Sequence, residues 1–314
     1  MSNRHLNKPL INPDDEFYTR YEDIEAELSN YADQFNGKWI YCPADDYTKS
    51  QFVAYFKDNF NKLGLKRLTA TYYINQQVSM FDEELPSKPT RYDFDGVKEW
   101  TIKMEGDGDM LGEECRRIME DSDIIVTNPP FSLAAKLLDL LLRINKDFIT
   151  VSHKTALSDQ RVIRPLYLQI LGLGYNNLFK FEGLNGAVKT SGSIWLQNIK
   201  EIERPLLSLT ESYDPERYPT YDNYDAIECK NLSDIPKDYY DKIGVPVTYL
   251  LRHNPKQFDF IGVLNDWHKS TKDGLVVGSP RIVSGKVAGK GAILNGMALF
   301  GRAVIKRRRE AQCK

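Results

Sequence analysis

Apolar and aromatic residues recur at helical spacing over residues 15–35 (Phe17, Tyr21, Ile24, Leu28, Tyr31, Phe35). Acidic residues fill the gaps and Gly37 closes the run, which predicts a first helix there. A short apolar run over 39–42 is broken by Pro43. A second helical pattern follows (Phe52, Val53, Tyr55, Phe56, Phe60, Leu63) and stops at Gly64, and residues 68–74, rich in Thr and Tyr, read as a strand. Residues 76–97 are polar and proline-bearing and read as a loop. Another strand is expected over 99–104, then the turn Glu105-Gly106-Asp107-Gly108-Asp109 and a helix over 110–119. The run Asp123-Ile124-Ile125-Val126-Thr127 is apolar and bounded by turn residues. Residues 133–144 are strongly helical and 148–151 predict a further strand. The glycine-rich stretch 183–192 reads as a turn between two last strands, the second carrying Trp195.

Strands alternating with helices imply βαβ units and a mostly parallel sheet. Runs as apolar as 123–127 fit a sheet covered on both faces. Ligands of such sheets bind at the carboxyl ends of the strands, which singles out the loops 43–50, 105–109 and 128–132. Beyond Glu203 the texture changes: Tyr, Pro and Asn cluster over 213–224, Gly becomes frequent after Gly274, and strand candidates (245–251, 258–263, 298–306) are separated by loops. The expected division is therefore a first domain over 1–203 and a second region over 204–314.

Composition narrows the class. The chain has 314 residues, 41% hydrophobic and 27% charged, enough for a substantial core. No stretch approaches the roughly 20 consecutive apolar residues of a membrane helix, and residues 1–15 lack the apolar segment of a signal peptide. A cytoplasmic protein with no membrane partner is expected. Cys42, Cys115, Cys229 and Cys313 are scattered and the four histidines form no ligand spacing, so no metal site is expected. Net charge is −2, so any nucleic-acid surface would have to be basic locally. The one dense basic run, Lys306-Arg307-Arg308-Arg309, reads equally well as a solvated tail.

The segment with the most specific chemistry is Asn128-Pro129-Pro130-Phe131, between an apolar strand and an apolar helix. Two consecutive prolines fix φ twice and remove two donors, leaving the turn rich in acceptors. The Asn128 side chain adds another acceptor and Phe131 a flat face. A planar aromatic amine is a poor nucleophile because its lone pair is delocalised into the ring. Two acceptors on its protons pull the nitrogen towards tetrahedral geometry and stabilise the charge it gains. A base in a duplex must leave the stack to reach such a site. The competing reading is a rigid strand-to-helix connection with Phe131 in the core.

Three other segments are weaker. Asp15-Glu16-Phe17-Tyr18-Thr19 places aromatics and a Thr where they could pack on an adenine ring, or simply cap a helix. Tyr41-Cys42-Pro43-Ala44-Asp45-Asp46 ends the first parallel strand, where carboxylates could bind an ammonium group or cap the next helix. Asp107 lies on a glycine-flanked turn and could accept from an adenine amine. The chain has no Gly-x-Gly-x-x-Gly, which argues against a dinucleotide enzyme.

Taken in order, these segments resemble the EcoRI-type adenine-specific DNA methyltransferases. The resemblance also takes in Phe52, the 218–225 cluster, Gly244-Val245-Pro246-Val247-Thr248 and Asn254-Pro255-Lys256-Gln257-Phe258. It implies a Rossmann-like α/β sheet with a C-terminal target-recognition extension, and a monomer acting on double-stranded DNA. It implies S-adenosylmethionine as methyl donor, with Phe17, Tyr18, Thr19, Cys42, Pro43, Asp45, Asp46 and Asp107 on its side. Asn128, Pro129, Pro130 and Phe131 then receive a flipped adenine and direct the methyl to its N6 amine. Two features depart from the wider class. The cofactor loop has no glycine, and no acid ends the strand at 71–74, although Glu83 or Glu84 could take the ribose. Alternatives are an RNA or protein-glutamine methyltransferase, or a DNA-binding scaffold that has lost catalysis.

Overall fold

The computed structural model describes residues 17–73, 89–183, 188–264, 281–283, 286–288 and 291–309. The chain forms two compact units, Met1–His153 with Gly174–Lys200, and Lys154–Leu173 with Glu201–Lys314. The segment between the seventh and eighth strands thus belongs to the second unit.

The first unit is built on nine strands: β1 (Phe17–Thr19), β2 (Trp39–Cys42), β3 (Arg67–Ala70), β4 (Thr90–Phe94), β5 (Glu99–Lys103), β6 (Ile124–Thr127), β7 (Asp147–His153), β8 (Gly172–Gly183) and β9 (Val188–Gln197). Their order is β1-β8-β9-β7-β6-β2-β3-β4-β5. The centre, β7-β6-β2-β3, is parallel. Outside it, β9 runs antiparallel to β7, and β4 and β5 antiparallel to their neighbours. The helices are α1 (Tyr21–Leu28), α2 (Gln51–Asp58), α3 (Phe60–Leu63), α4 (Glu113–Asp121) and α5 (Phe131–Arg143).

From β2 the chain moves outward to β3, β4 and β5, then returns through α4 to β6 on the other side of β2. The order of strands therefore reverses between β2 and β6, the switch point where the ligand crevice of such a sheet lies, outside the carboxyl ends of the strands. All four residues of β6 are buried, as a central strand covered on both faces requires. This is a Rossmann-like sheet, as the sequence pattern and the resemblance implied.

Three local expectations fail, each for a physical reason. Residues 17–19 are a strand instead of the start of a helix; α1 begins after Arg20, and Ser29–Gln34 is a 3-10 turn. The strand exists because Phe17, Tyr18 and Thr19 pair with Gly183, Glu182 and Phe181, partners too distant in sequence for a local pattern to reveal. The expected loop 76–97 contains β4. Asp93 is fully buried between Arg67 and Arg91 at 2.8 Å each, beside the buried Tyr92, so the two aromatics of this short strand alternate with charged residues inside a polar stretch and do not stand out as an apolar run. Residues 247–251 continue as a 3-10 helix, Val247–Arg252, because Pro246 ends the strand before it. Of the stretch 183–192 expected as a turn, Gly183 ends β8 and residues 188–192 belong to β9, because their backbones pair in the sheet; Glu83, Glu84 and residues 184–187 lie outside the described residues.

The second unit contains α6 (Gln160–Tyr167) and a four-stranded sheet, ordered β10-β11-β17-β12. These strands are β10 (Ile227–Glu228), β11 (Lys242–Pro246), β12 (Phe258–Leu264) and β17 (Arg302–Arg307), with β17 antiparallel to both its neighbours. In its core the buried carboxylate of Glu228 is held by Arg302 at 3.0 Å and by the Tyr221 hydroxyl. Two small hairpins lie before β17, formed by β13 (Arg281–Val283) with β14 (Lys286–Ala288) and β15 (Ile293–Leu294) with β16 (Met297–Ala298).

Candidate active site

Asn128-Pro129-Pro130 connects β6 to α5 at the carboxyl end of the sheet, on one side of the crevice. Pro129 is buried and Pro130 exposed. The two proline carbonyls differ. That of Pro130 accepts from Leu133 N at 2.8 Å and Ala134 N at 3.0 Å and so closes the first turn of α5. That of Pro129 accepts nothing among the described residues. The Asn128 Oδ1 atom is buried and has no hydrogen-bond partner among the described residues, a costly state for a carbonyl oxygen unless a ligand supplies a donor. Phe131 is 46% exposed at the first position of α5, so it is not a core residue; its ring meets that of His153 at 5.8 Å. His153 ends β7 and was not singled out from the sequence. A polar residue closing an apolar strand was the available signal.

Across the crevice, residues 43–50 leave β2 and enter α2. Asp45 is buried. Its Oδ1 accepts from Ser50 Oγ at 2.7 Å and its Oδ2 from Thr127 Oγ1 at 2.7 Å. Its backbone N–H donates to the Thr71 carbonyl at 3.0 Å. Burial raises the Asp45 carboxyl to about 6, against the lowering effect of its two hydroxyl donors, and the neighbouring Asp46 adds to the rise. Asp46 is more open and accepts from the Thr48 backbone N–H at 2.9 Å and hydroxyl at 2.7 Å. Cys42 and Pro43 are buried, and burial pushes the Cys42 thiol up, with Asp45 adding to it. Ser50 caps α2, its Oγ accepting from Phe52 N at 3.1 Å and Val53 N at 3.4 Å.

Strand β1 packs against α2, which brings residues 17–19 to the helix that the loop 43–50 enters. Thr19 is 2% exposed and its Oγ1 is buried without a partner. Asp107 sits on the turn after β5 and accepts from Asp109 N at 3.1 Å. The next residue, Gly108, has φ +77°, and a Cβ there would lie 2.2 Å from the Tyr72 carbonyl oxygen. Only glycine lets this turn sit against the end of β3. The segments 43–50, 105–109 and 128–131 therefore lie around the carboxyl ends of β2, β3 and β6, joined through Asp45, Thr71 and Gly108, while residues 17–19 form the edge strand β1, in contact with α2. Among the described residues no three His, Cys, Asp or Glu side chains cluster as a metal site, and no helix is long and apolar enough to cross a membrane.

A Rossmann-like sheet with an Asn-Pro-Pro-Phe turn at its switch point defines a class, the methyltransferases that act on planar amines. The sequence model described as adenine-specific methyltransferase EcoRI matches residues 5–182 and 176–308. The chain belongs to this EcoRI family of adenine-specific DNA methyltransferases. It is 33% identical over 290 residues to the type II methyltransferase M.EcoRI of Escherichia coli, covering 83% of this chain and 89% of that one. It is 31% identical to M.MgeORF184P of Mycoplasma genitalium, covering 96% and 98%, and 30% identical to M.MpnI of Mycoplasma pneumoniae, covering 83% and 86%. No solved structure gives a significant match.

Proposed function

We propose that this enzyme methylates the N6 amine of an adenine flipped out of double-stranded DNA, with S-adenosylmethionine as the donor. The observation that carries the reading is the buried, unpartnered Asn128 Oδ1 beside the unpartnered Pro129 carbonyl. Two free acceptors on adjacent residues would match the two N–H groups of an exocyclic amine. Asn128 and Pro129 hold those protons and stabilise the positive charge that grows on nitrogen, an electrostatic effect of the oxyanion-hole kind with its sign reversed. The exposed Phe131 ring gives the extruded base a face to stack on. Pro130 supplies no contact of its own; it fixes the turn and closes α5.

The residues opposite fit the proposed donor. S-adenosylmethionine supplies an electrophilic methyl on a sulfonium, and direct displacement needs neither metal nor covalent enzyme intermediate. The unpartnered Thr19 Oγ1, the backbone of Phe17, Tyr18, Cys42 and Pro43, and the carboxylate of Asp46 would hold its amino acid end. Asp107 would accept from its adenine amine. The Asp45 carboxylate is engaged by Ser50 and Thr127. Sequence recognition would fall to the region after residue 203, with the enzyme acting as a monomer in the cytoplasm.

Incubation with methyl-labelled S-adenosylmethionine and unmethylated duplex DNA should place the label in N6-methyladenine. Label in RNA or in protein glutamine instead would overturn the substrate. DNA binding with no label anywhere would reduce the protein to a scaffold.

A further inference from the structure

The cofactor loop of this chain has no glycine, and the described backbone shows how it holds its shape without one. No residue over 43–50 adopts a positive φ; the non-glycine residues that do are Asn145, Gln169 and Asn295. The loop is fixed by side chains. The Thr71 hydroxyl lies 2.6 Å from the Tyr41 hydroxyl and donates to the Pro43 carbonyl at 3.3 Å. The Thr71 carbonyl accepts from Asp45 N. Asp45 then joins three elements through one carboxylate: its own loop, the N-terminus of α2 through Ser50, and the end of β6 through Thr127. Direct β2–β6 pairing ends at Tyr41 with Ile125. The bond from Asp45 to Thr127 is therefore a tie across the crevice after the sheet itself has parted, and Thr127 is the residue immediately before Asn128.

We propose that Asp45 is a positioning residue, clamping the cofactor loop to the end of β6 so that Asn128 and the methyl donor keep their mutual register. The proposal rests on the base-side and donor-side assignments above. Both hydroxyl donors are buried and both bonds are short, so the carboxylate is fixed from two sides. The two halves of the site stand on separate loops, and methyl transfer requires them within a fraction of an ångström of each other; a misplacement of about 1 Å costs roughly 100-fold in rate.

Steady-state kinetics and cofactor binding of Thr127→Val, Asp45→Ala, the double variant and Asp45→Asn test this. Thr127→Val keeps the shape of the side chain and removes one arm of the clamp. It should lower kcat about 10- to 100-fold while the cofactor Kd stays within about threefold. Asp45→Ala should lose at least as much kcat, and the double variant no more than Asp45→Ala, since both cut the same tie. Asp45→Asn, whose amide can still meet both hydroxyls, should recover most of the loss, and it carries the comparison if the alanine variant does not fold. A Thr127→Val enzyme with wild-type kcat overturns the clamp. So does a rise in cofactor Kd matching the fall in kcat, which would make Asp45 a cofactor ligand only. A wild-type enzyme that transfers no methyl to DNA refutes the functional reading instead, before any variant is compared.

Discussion

Replacing Asn128 by alanine separates chemistry from stability. Its Oδ1 is buried and bonded to nothing, so in the free enzyme it contributes no hydrogen bond to lose. An unsatisfied buried carbonyl costs on the order of 1–3 kcal/mol; its removal offsets the few van der Waals contacts that go with it. Asn128→Ala should therefore melt no lower than wild type, and each kcal/mol of net relief would raise Tm by roughly 2–4 °C. In the reacting complex proposed above the same atom would face an amine gaining positive charge. Loss of one such preorganised partner costs roughly 100- to 1,000-fold in kcat. Cofactor affinity, which depends on the opposite side of the crevice, should be unchanged. The assay pairs single-turnover methylation at saturating S-adenosylmethionine with a thermal melt of the same preparation. Activity within about tenfold of wild type would remove Asn128 from the chemistry. A melting point several degrees lower would show that its amide supports the fold, and the case from the orphaned oxygen would collapse.

Three further outcomes follow from buried charges. Glu27 is fully buried, raised by burial, and accepts from Tyr31 Oη at 2.8 Å, Tyr175 N at 2.8 Å and Asn176 N at 2.7 Å; Glu27→Ala orphans two strand amides and should cost about 2–4 kcal/mol in urea unfolding. Glu228 depends on Arg302, so Arg302→Met leaves a buried carboxylate unpaired and should destabilise the second unit by roughly 3–5 kcal/mol, read as an earlier transition by limited proteolysis; an unchanged transition would contradict the burial of Glu228. Asp45 titrates near 6 when folded, against 3.8, so the folded state holds the extra proton between those values and this group's contribution to stability falls as pH rises through them. Relative to Asp45→Asn, wild type should gain up to about 3 kcal/mol between pH 7.5 and 4; equal pH dependence in paired melts would place the carboxyl in a wetter environment than its geometry indicates.

The parts of the fold legible in the sequence are those that bury a continuous apolar face. β2, β6, α2 and α5 appear as apolar runs or helical periods because nothing else competes for their positions. β1 and β4 do not. β1 owes its existence to pairing with β8, and β4 buries an aspartate between two arginines, so its brief alternation of Tyr92 and Phe94 with charged residues is lost in a polar stretch. The site shows the same contrast. Asn128-Pro129-Pro130-Phe131 is a contiguous motif and stands out at once. The tie between Asp45 and Thr127 spans 82 positions, and neither residue advertises it, although a Thr closing an otherwise apolar strand was a hint.

That contrast also accounts for the glycine missing from the cofactor loop. A glycine-rich turn gives the backbone access to conformations that other residues avoid, and its shape is then set by the backbone alone. Pro43-Ala44-Asp45-Asp46 does not visit those conformations, so a loop of ordinary residues has to be held from outside. Thr71 holds it from below, and Asp45 holds it from both ends. The consequence is a dependence that a glycine turn lacks. On the proposed assignments, the shape of the donor side would be tied, through one buried carboxylate, to the strand that precedes the base side. Substitutions in β6 should therefore shift the loop relative to Asn128, and substitutions in the loop should do the same from the other side, showing in kcat and not in cofactor affinity.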